Sequence, residues 1–114
     1  MTRQIKFRAW DVSELRIYSD CILKLEYAIE NPDEIILMQF IGRKDCEGND
    51  VYDGDIFKDD CHTYIIYWND NACGFKIKTI GRGKLVAPKY RNLEGVLANL
   101  AVIGNEYETP YLLK

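Results

Sequence analysis

Between Thr63 and Ile80 the chain carries the pattern of a β-hairpin. Thr63-Tyr64-Ile65-Ile66-Tyr67-Trp68 is built entirely from β-branched and aromatic residues, which fit a pleated surface and lose side-chain freedom in a helix. Asn69-Asp70-Asn71 follows as a turn cluster. Gly74 to Ile80 then alternates through Phe75, Ile77 and Ile80 with lysines between. Two strand-like runs around a short turn read as an antiparallel pair.

The same period of two opens the chain. Ile5-Lys6-Phe7-Arg8-Ala9 alternates apolar and charged residues, the mark of a half-buried strand. Trp10 falls on the charged face and is expected to be exposed or to cap an edge. Asp11-Val12-Ser13-Glu14 reads as a turn, and Leu15-Arg16-Ile17-Tyr18 as the return strand. The segment Cys21 to Ile29 suits either a helix, with Ile22, Leu25 and Ile29 in a stripe, or an extended stretch; Asn31-Pro32 closes it. Ile35 to Ile41 is apolar except for Gln39 and reads as a buried strand. Glu47-Gly48-Asn49 is a tight-turn signal. Val51-Tyr52 and Ile56-Phe57 are short strands broken at Asp53-Gly54-Asp55, and Gly81-Arg82-Gly83 ends the hairpin. Asn92 is the expected cap of a short helix, Leu100 to Ile103 a last strand, and Thr109-Pro110 the start of a terminal turn.

These elements predict one α+β domain over residues 1–114. Residues 1–50 form an N-terminal hairpin and α/β part. Residues 51–114 form a β-rich part, a small SH3-like barrel or a strongly bent antiparallel sheet. The length of 114 residues fits one domain. An apolar fraction of 47% against 29% charged residues argues against disorder. The N-terminus carries no apolar run of signal length, and Ile35 to Met38 is too short to cross a bilayer. The expectation is therefore a soluble cytoplasmic protein with no membrane partner and with Cys21, Cys46, Cys61 and Cys73 reduced.

Three stretches, taken in order, resemble the YopX family of phage and prophage proteins. They are Ile5-Lys6-Phe7-Arg8-Ala9-Trp10-Asp11; Leu37-Met38-Gln39-Phe40-Ile41-Gly42 running on to Tyr52-Asp53-Gly54-Asp55-Ile56; and Val102-Ile103-Gly104-Asn105-Glu106-Tyr107-Glu108 with Pro110 and Leu112-Leu113. Glu106 stands where the family pattern favours an apolar residue, and Thr109 where it favours asparagine. The resemblance implies a small phage-encoded protein with an α+β N-terminal part and a compact β part. It brings no assigned activity and no catalytic residues.

Four constellations could carry chemistry. Cys61-His62 offers a nucleophile beside a base, but neighbours on a strand point to opposite faces, and Asp59 and Asp60 disfavour a thiolate. The expectation is a small apolar cysteine and a surface histidine. Cys46, Cys61, His62 and Cys73 lack the close ligand pairs of structural zinc, so a site would have to be assembled from separate strands. Asp53 and Asp55 at i, i+2 could share a strand face for acid–base work or a cation, though Tyr-Asp-Gly-Asp-Ile also reads as a bend. Lys76 and Lys78, with Tyr64, Tyr67 and Trp68 on the partner strand, could stack bases and hold phosphates, while a net charge of −3 opposes phosphate binding. No catalytic residue, metal or cofactor is assigned.

The expected function is that of a non-enzymatic binding or assembly module, whose partner is a second copy of the chain or another phage or host protein. Trp10, Asp11, Tyr52 and Tyr107 are the expected contact residues, because aromatic anchors dominate interface energetics. The alternatives are a nucleic-acid-binding accessory protein and a small metal-dependent or cysteine hydrolase.

Overall fold

The structure, a computed structural model, describes residues 4–19, 22–80 and 87–113. Cys21, the Gly81-Arg82-Gly83 turn and Lys84 lie outside the described residues. The elements run β1 Phe7–Asp11, β2 Arg16–Ser19, α1 Ile22–Glu30, β3 Ile35–Lys44, β4 Asp50–Tyr52, β5 Asp55–Lys58, β6 Thr63–Asn69, β7 Gly74–Ile80, α2 Leu93–Asn99 and β8 Gly104–Asn105, closing on a 3₁₀ turn at Pro110–Leu113. They build two antiparallel sheets in the orders β2-β1-β3-β4 and β7-β6-β5-β8. The fold is α+β, mostly sheet with two helices.

β4 begins at Asp50 and pairs with β3 through Phe40↔Tyr52 and Lys44↔Asp50. It therefore completes the first sheet, and the chain changes sheets at Asp53-Gly54 rather than between residues 50 and 51. Gly54 sits at φ +89°, a left-handed conformation that glycine adopts freely. That conformation turns the backbone from one sheet into the other. Gly48, at φ +83°, fills the same need in the Glu47-Gly48-Asn49 turn.

Each sheet has its own core. α1 covers one face of the first sheet, where Ala9, Ala28 and Ile35 are buried with Phe7, Tyr18 and Leu37 against them. α2 covers the second sheet, its Val96 and Leu97 packing with Phe57, Tyr64 and Ile66. Val51 of β4 and Ile41 of β3 join this second cluster, so the two halves share apolar packing. The ambiguous segment after Cys21 is helical from Ile22.

Strand assignments at both ends of the chain need correction. β1 starts at Phe7, leaving Ile5 72% exposed, and its last three residues are all buried. Trp10 is thus interior, because both faces of β1 are covered and period-two alternation no longer separates inside from outside. Leu100 to Ile103 is not a strand. Leu100 and Val102 pack into the core of the second sheet, and the ladder to β5 is confined to Asp55↔Asn105 and Ile56↔Gly104. Asn92 caps α2 as expected, its Oδ1 accepting from Gly95 N at 2.9 Å.

Candidate binding surfaces

The residues expected to form a contact surface divide into an interior junction and an ordered turn. Arg8, Trp10, Met38, Phe40 and Tyr52 stand on the face of the first sheet opposite α1, as register and alternation require. Asp55, the first residue of β5, enters this face from the second sheet. Its Oδ1 accepts from Arg8 Nη2 at 2.5 Å, and its Oδ2 accepts from Tyr52 N at 2.8 Å. The Arg8 guanidinium lies 4.4 Å from the Tyr52 ring centre and also reaches Met38 Sδ at 3.4 Å. Asp55 is fully buried. Burial pushes its carboxyl up to about 6, against the opposing pull of Arg8.

Trp10 and Tyr107 extend the junction. Their rings stack with centroids 6.4 Å apart and planes 25° apart. Burial, then a hydrogen bond to Glu106, raises the Tyr107 hydroxyl above its ordinary range. Glu106 lies over Gly54 and donates its backbone N–H to Gly54 O at 3.0 Å. Burial and the Glu106 carboxylate together raise Asp53. The polar residue that departs from the family pattern thus lies beside the sheet-to-sheet turn. Thr109, the other departure, uses its hydroxyl as a clamp: Oγ1 accepts from Asn105 N at 3.1 Å and donates to Asn105 O at 2.9 Å.

Trp10 and Asp11 are therefore buried, and Tyr52 and Tyr107 half-buried, in contacts within the chain. This corrects the expectation that Trp10 is exposed or caps an edge, since it is buried and β1 lies between β2 and β3. Asp11 has a distinct task. Its Oδ1 accepts from Ser13 N, Ser13 Oγ and Glu14 N at 3.0, 2.9 and 2.9 Å. The β1–β2 turn is thereby fixed from below by a short acidic side chain. The turn presents Val12 and Leu15, 40% and 70% exposed. Leu15 holds φ +57°, a conformation uncommon for a residue with a γ-branched side chain. Val12 N donates to Glu34 O at 3.0 Å, and the Tyr27 hydroxyl bonds the Glu34 carboxylate, so Tyr27, 49% exposed, stands beside the turn. Sequence reasoning placed the turn but not this surface. Leu15, read as the first residue of the return strand, instead belongs to the turn, and β2 starts at Arg16.

The remaining constellations come apart. Tyr67 pairs with Lys76 and Ile65 with Lys78, which puts Tyr67 and both lysines on the outer face of the second sheet. Trp68 pairs with Phe75 on the other face, with ring centres 5.2 Å apart. Tyr64 is fully buried. Tyr67 and Trp68 thus do not form one stacking platform. Asp53 and Asp55 do not act as a pair either: Asp55 turns to Arg8, while Asp53 neighbours Glu106. Cys61 is exposed and His62 buried, the reverse of the expected arrangement. Asp59 Oδ1 accepts from both backbone N–H groups, at 2.8 and 2.7 Å, and Asp59 Oδ2 accepts from Tyr64 at 2.7 Å. Cys46, Cys61 and Cys73 are free and exposed. Among the described residues no group of three His, Cys, Asp or Glu side chains is placed to hold a metal. No described helix is long and apolar enough to cross a membrane.

The comparisons agree with the fold on the page. A crystal structure of protein EF1440 from Enterococcus faecalis superposes with a TM-score of 0.67 at 20% identity, covering 99% of this chain and 100% of that one. No curated protein sequence matches. The family model described as YopX protein matches residues 6–114, a span that includes the junction, the Asp11 turn and the Glu106–Thr109 clamp. The chain belongs to the YopX family.

Proposed function

We propose that this protein is a non-enzymatic assembly module of phage or prophage origin, working in the bacterial cytoplasm by associating with further copies of itself. The observation that carries the reading is the Asp11-anchored turn. Three hydrogen bonds to one buried carboxylate hold Val12 and Leu15 toward solvent. Ordering a loop costs conformational entropy, and an apolar side chain kept exposed at positive φ gains nothing from water. Both costs are offset when a partner covers the turn. Asp11 contributes as the floor of this surface, and Trp10, Tyr52 and Tyr107 as the joint that keeps the first sheet fixed on the second. An SH3-like reading of the β-rich part rests on its short, bent antiparallel strands.

Native mass of the wild-type chain and of Leu15→Asp tests the proposal. A multimer that falls to monomer in the variant, with unchanged circular dichroism, supports it. A multimer untouched by the substitution, or a wild-type monomer at high concentration, contradicts it.

A further inference from the structure

β7 is an edge strand: among the described residues it pairs only with β6. Along its middle a groove of about 380 Å³ opens between Phe75, Lys76 and Ile77 on the strand and Arg91 to Glu94 at the start of α2. The floor is apolar, since Phe75, Ile77 and Leu93 are the side chains that continue into the core beneath. The rim is cationic. Lys76 and Arg91 line it, Lys78 follows Lys76 along the outer face of the strand, and all three are exposed and make no ion pair among the described residues. Glu94, the one acid at the groove, is engaged by Arg43 through both carboxylate oxygens, at 2.5 and 2.9 Å. In a chain of net charge −3 this is a local basic strip.

We infer that the edge of β7 accepts an extended acidic peptide segment of a partner protein as an added strand. Strand addition uses backbone groups for affinity and alternate side chains for selectivity. A strand added about 4.8 Å away would set one set of side chains beside Lys76 and Lys78 and the alternate set over Phe75, Ile77 and Leu93. The ligand so described alternates acidic and apolar residues. A second copy fits this edge poorly: antiparallel self-pairing about Ile77 would face Lys76 with Lys78 of its mate, and like charges directly opposite are destabilising. Single-stranded nucleic acid fits less well, because Trp68 stands on the opposite face from Tyr67 and the lysines. This inference rests on the binding-module reading and adds a second contact, to a different partner, on a surface remote in sequence from the Asp11 turn.

The test is a titration of the ¹⁵N-labelled full chain, followed by amide shifts. Three blocked eight-residue probes are used: one alternating valine and glutamate, one alternating valine and lysine, and the first carrying N-methyl groups on alternate amides. The acidic probe is expected to shift residues 75–78 and 91–94 saturably, and the other two to leave them unmoved. Lys76→Glu with Arg91→Glu should weaken binding roughly tenfold, as loss of two interfacial charge contacts implies. Equal binding of the N-methylated probe would replace strand addition by plain charge attraction. No shift at millimolar acidic probe, or tighter binding of oligothymidylate at the same amides, would overturn the inference. Assembly measured by native mass does not depend on these residues. A silent groove on an intact multimer overturns only this inference, and a Leu15→Asp chain that stays multimeric overturns only the assembly reading.

Discussion

Replacing Arg8 by methionine removes a half-buried cation while keeping most of the stem that packs on Tyr52. The consequence falls on Asp55, fully buried in the seam between the sheets. Even with Arg8 present, burial lifts its carboxyl from 3.8 to about 6, a burial cost of about 3 kcal/mol that the ion pair leaves uncompensated. Without Arg8 the carboxyl rises further. At pH 7 the folded variant must hold an unpaired charge or take up a proton, and breaking a buried pair from one side costs about 3–5 kcal/mol. The sign with pH follows from linkage. A carboxyl raised by folding binds its proton more tightly in the folded chain, so its contribution is greatest below its unfolded value near 4. That contribution is lost as pH rises through about 6. In the Arg8→Met chain the loss extends to higher pH. Between pH 5 and 7 the variant loses up to about 2.7 kcal/mol and the wild type about half of that, so the penalty measured at pH 7 should shrink by up to about 1.4 kcal/mol at pH 5. Adding Asp55→Asn, which keeps an acceptor for Tyr52 N, should recover most of the loss at pH 7. Urea unfolding followed by tryptophan fluorescence at both pH values measures all three chains. A penalty below about 1 kcal/mol at pH 7, or one that is equal at both pH values, would refute the reasoning.

Gly104→Ala places a Cβ 2.1 Å from Thr109 Oγ1 and 3.0 Å from Leu112 Cδ1; it should cost about 1–3 kcal/mol in a thermal melt and loosen the C-terminal turn. Asp45→Ala removes the acceptor for Glu47 N, Asn49 N and Val102 N, and should cost about 1–3 kcal/mol by urea unfolding at neutral pH. Burial raises the Asp45 carboxyl, but these hydrogen bonds outweigh it and hold the group below its ordinary range. Its stabilisation is therefore present above about pH 4 and lost as pH falls below that, so Asp45→Ala should flatten the acid limb of the stability profile and leave the limb set by Asp55 in place.

The local elements were legible because each rests on neighbours in sequence. The β6–β7 hairpin, the Asn92 cap, the Gly48 turn and the Thr109-Pro110 start of the last turn each carry their signal within a few residues. The seam was not legible. Arg8 and Asp55 are 47 positions apart, and nothing near Arg8 marks it as interior. Trp10 was misplaced for a related reason: a strand covered by a helix on one side and a sheet on the other has no outward face for alternation to report. Leu100 to Ile103 shows the opposite failure. A short apolar run fits a core-lining connection as well as a strand, and only the pairing of β5 with Gly104-Asn105 separates them. At the candidate surface, Asp11 was named as a contact residue, but its effect passes through the turn it anchors to Leu15.

The claim that the turn is an assembly surface is tested most directly by the native mass of the chain across a concentration series, for wild type and Leu15→Asp side by side. The account predicts a closed multiple of 13.3 kDa for the wild type and a folded 13.3 kDa monomer for the variant. Identical masses for the two chains at every concentration would contradict it.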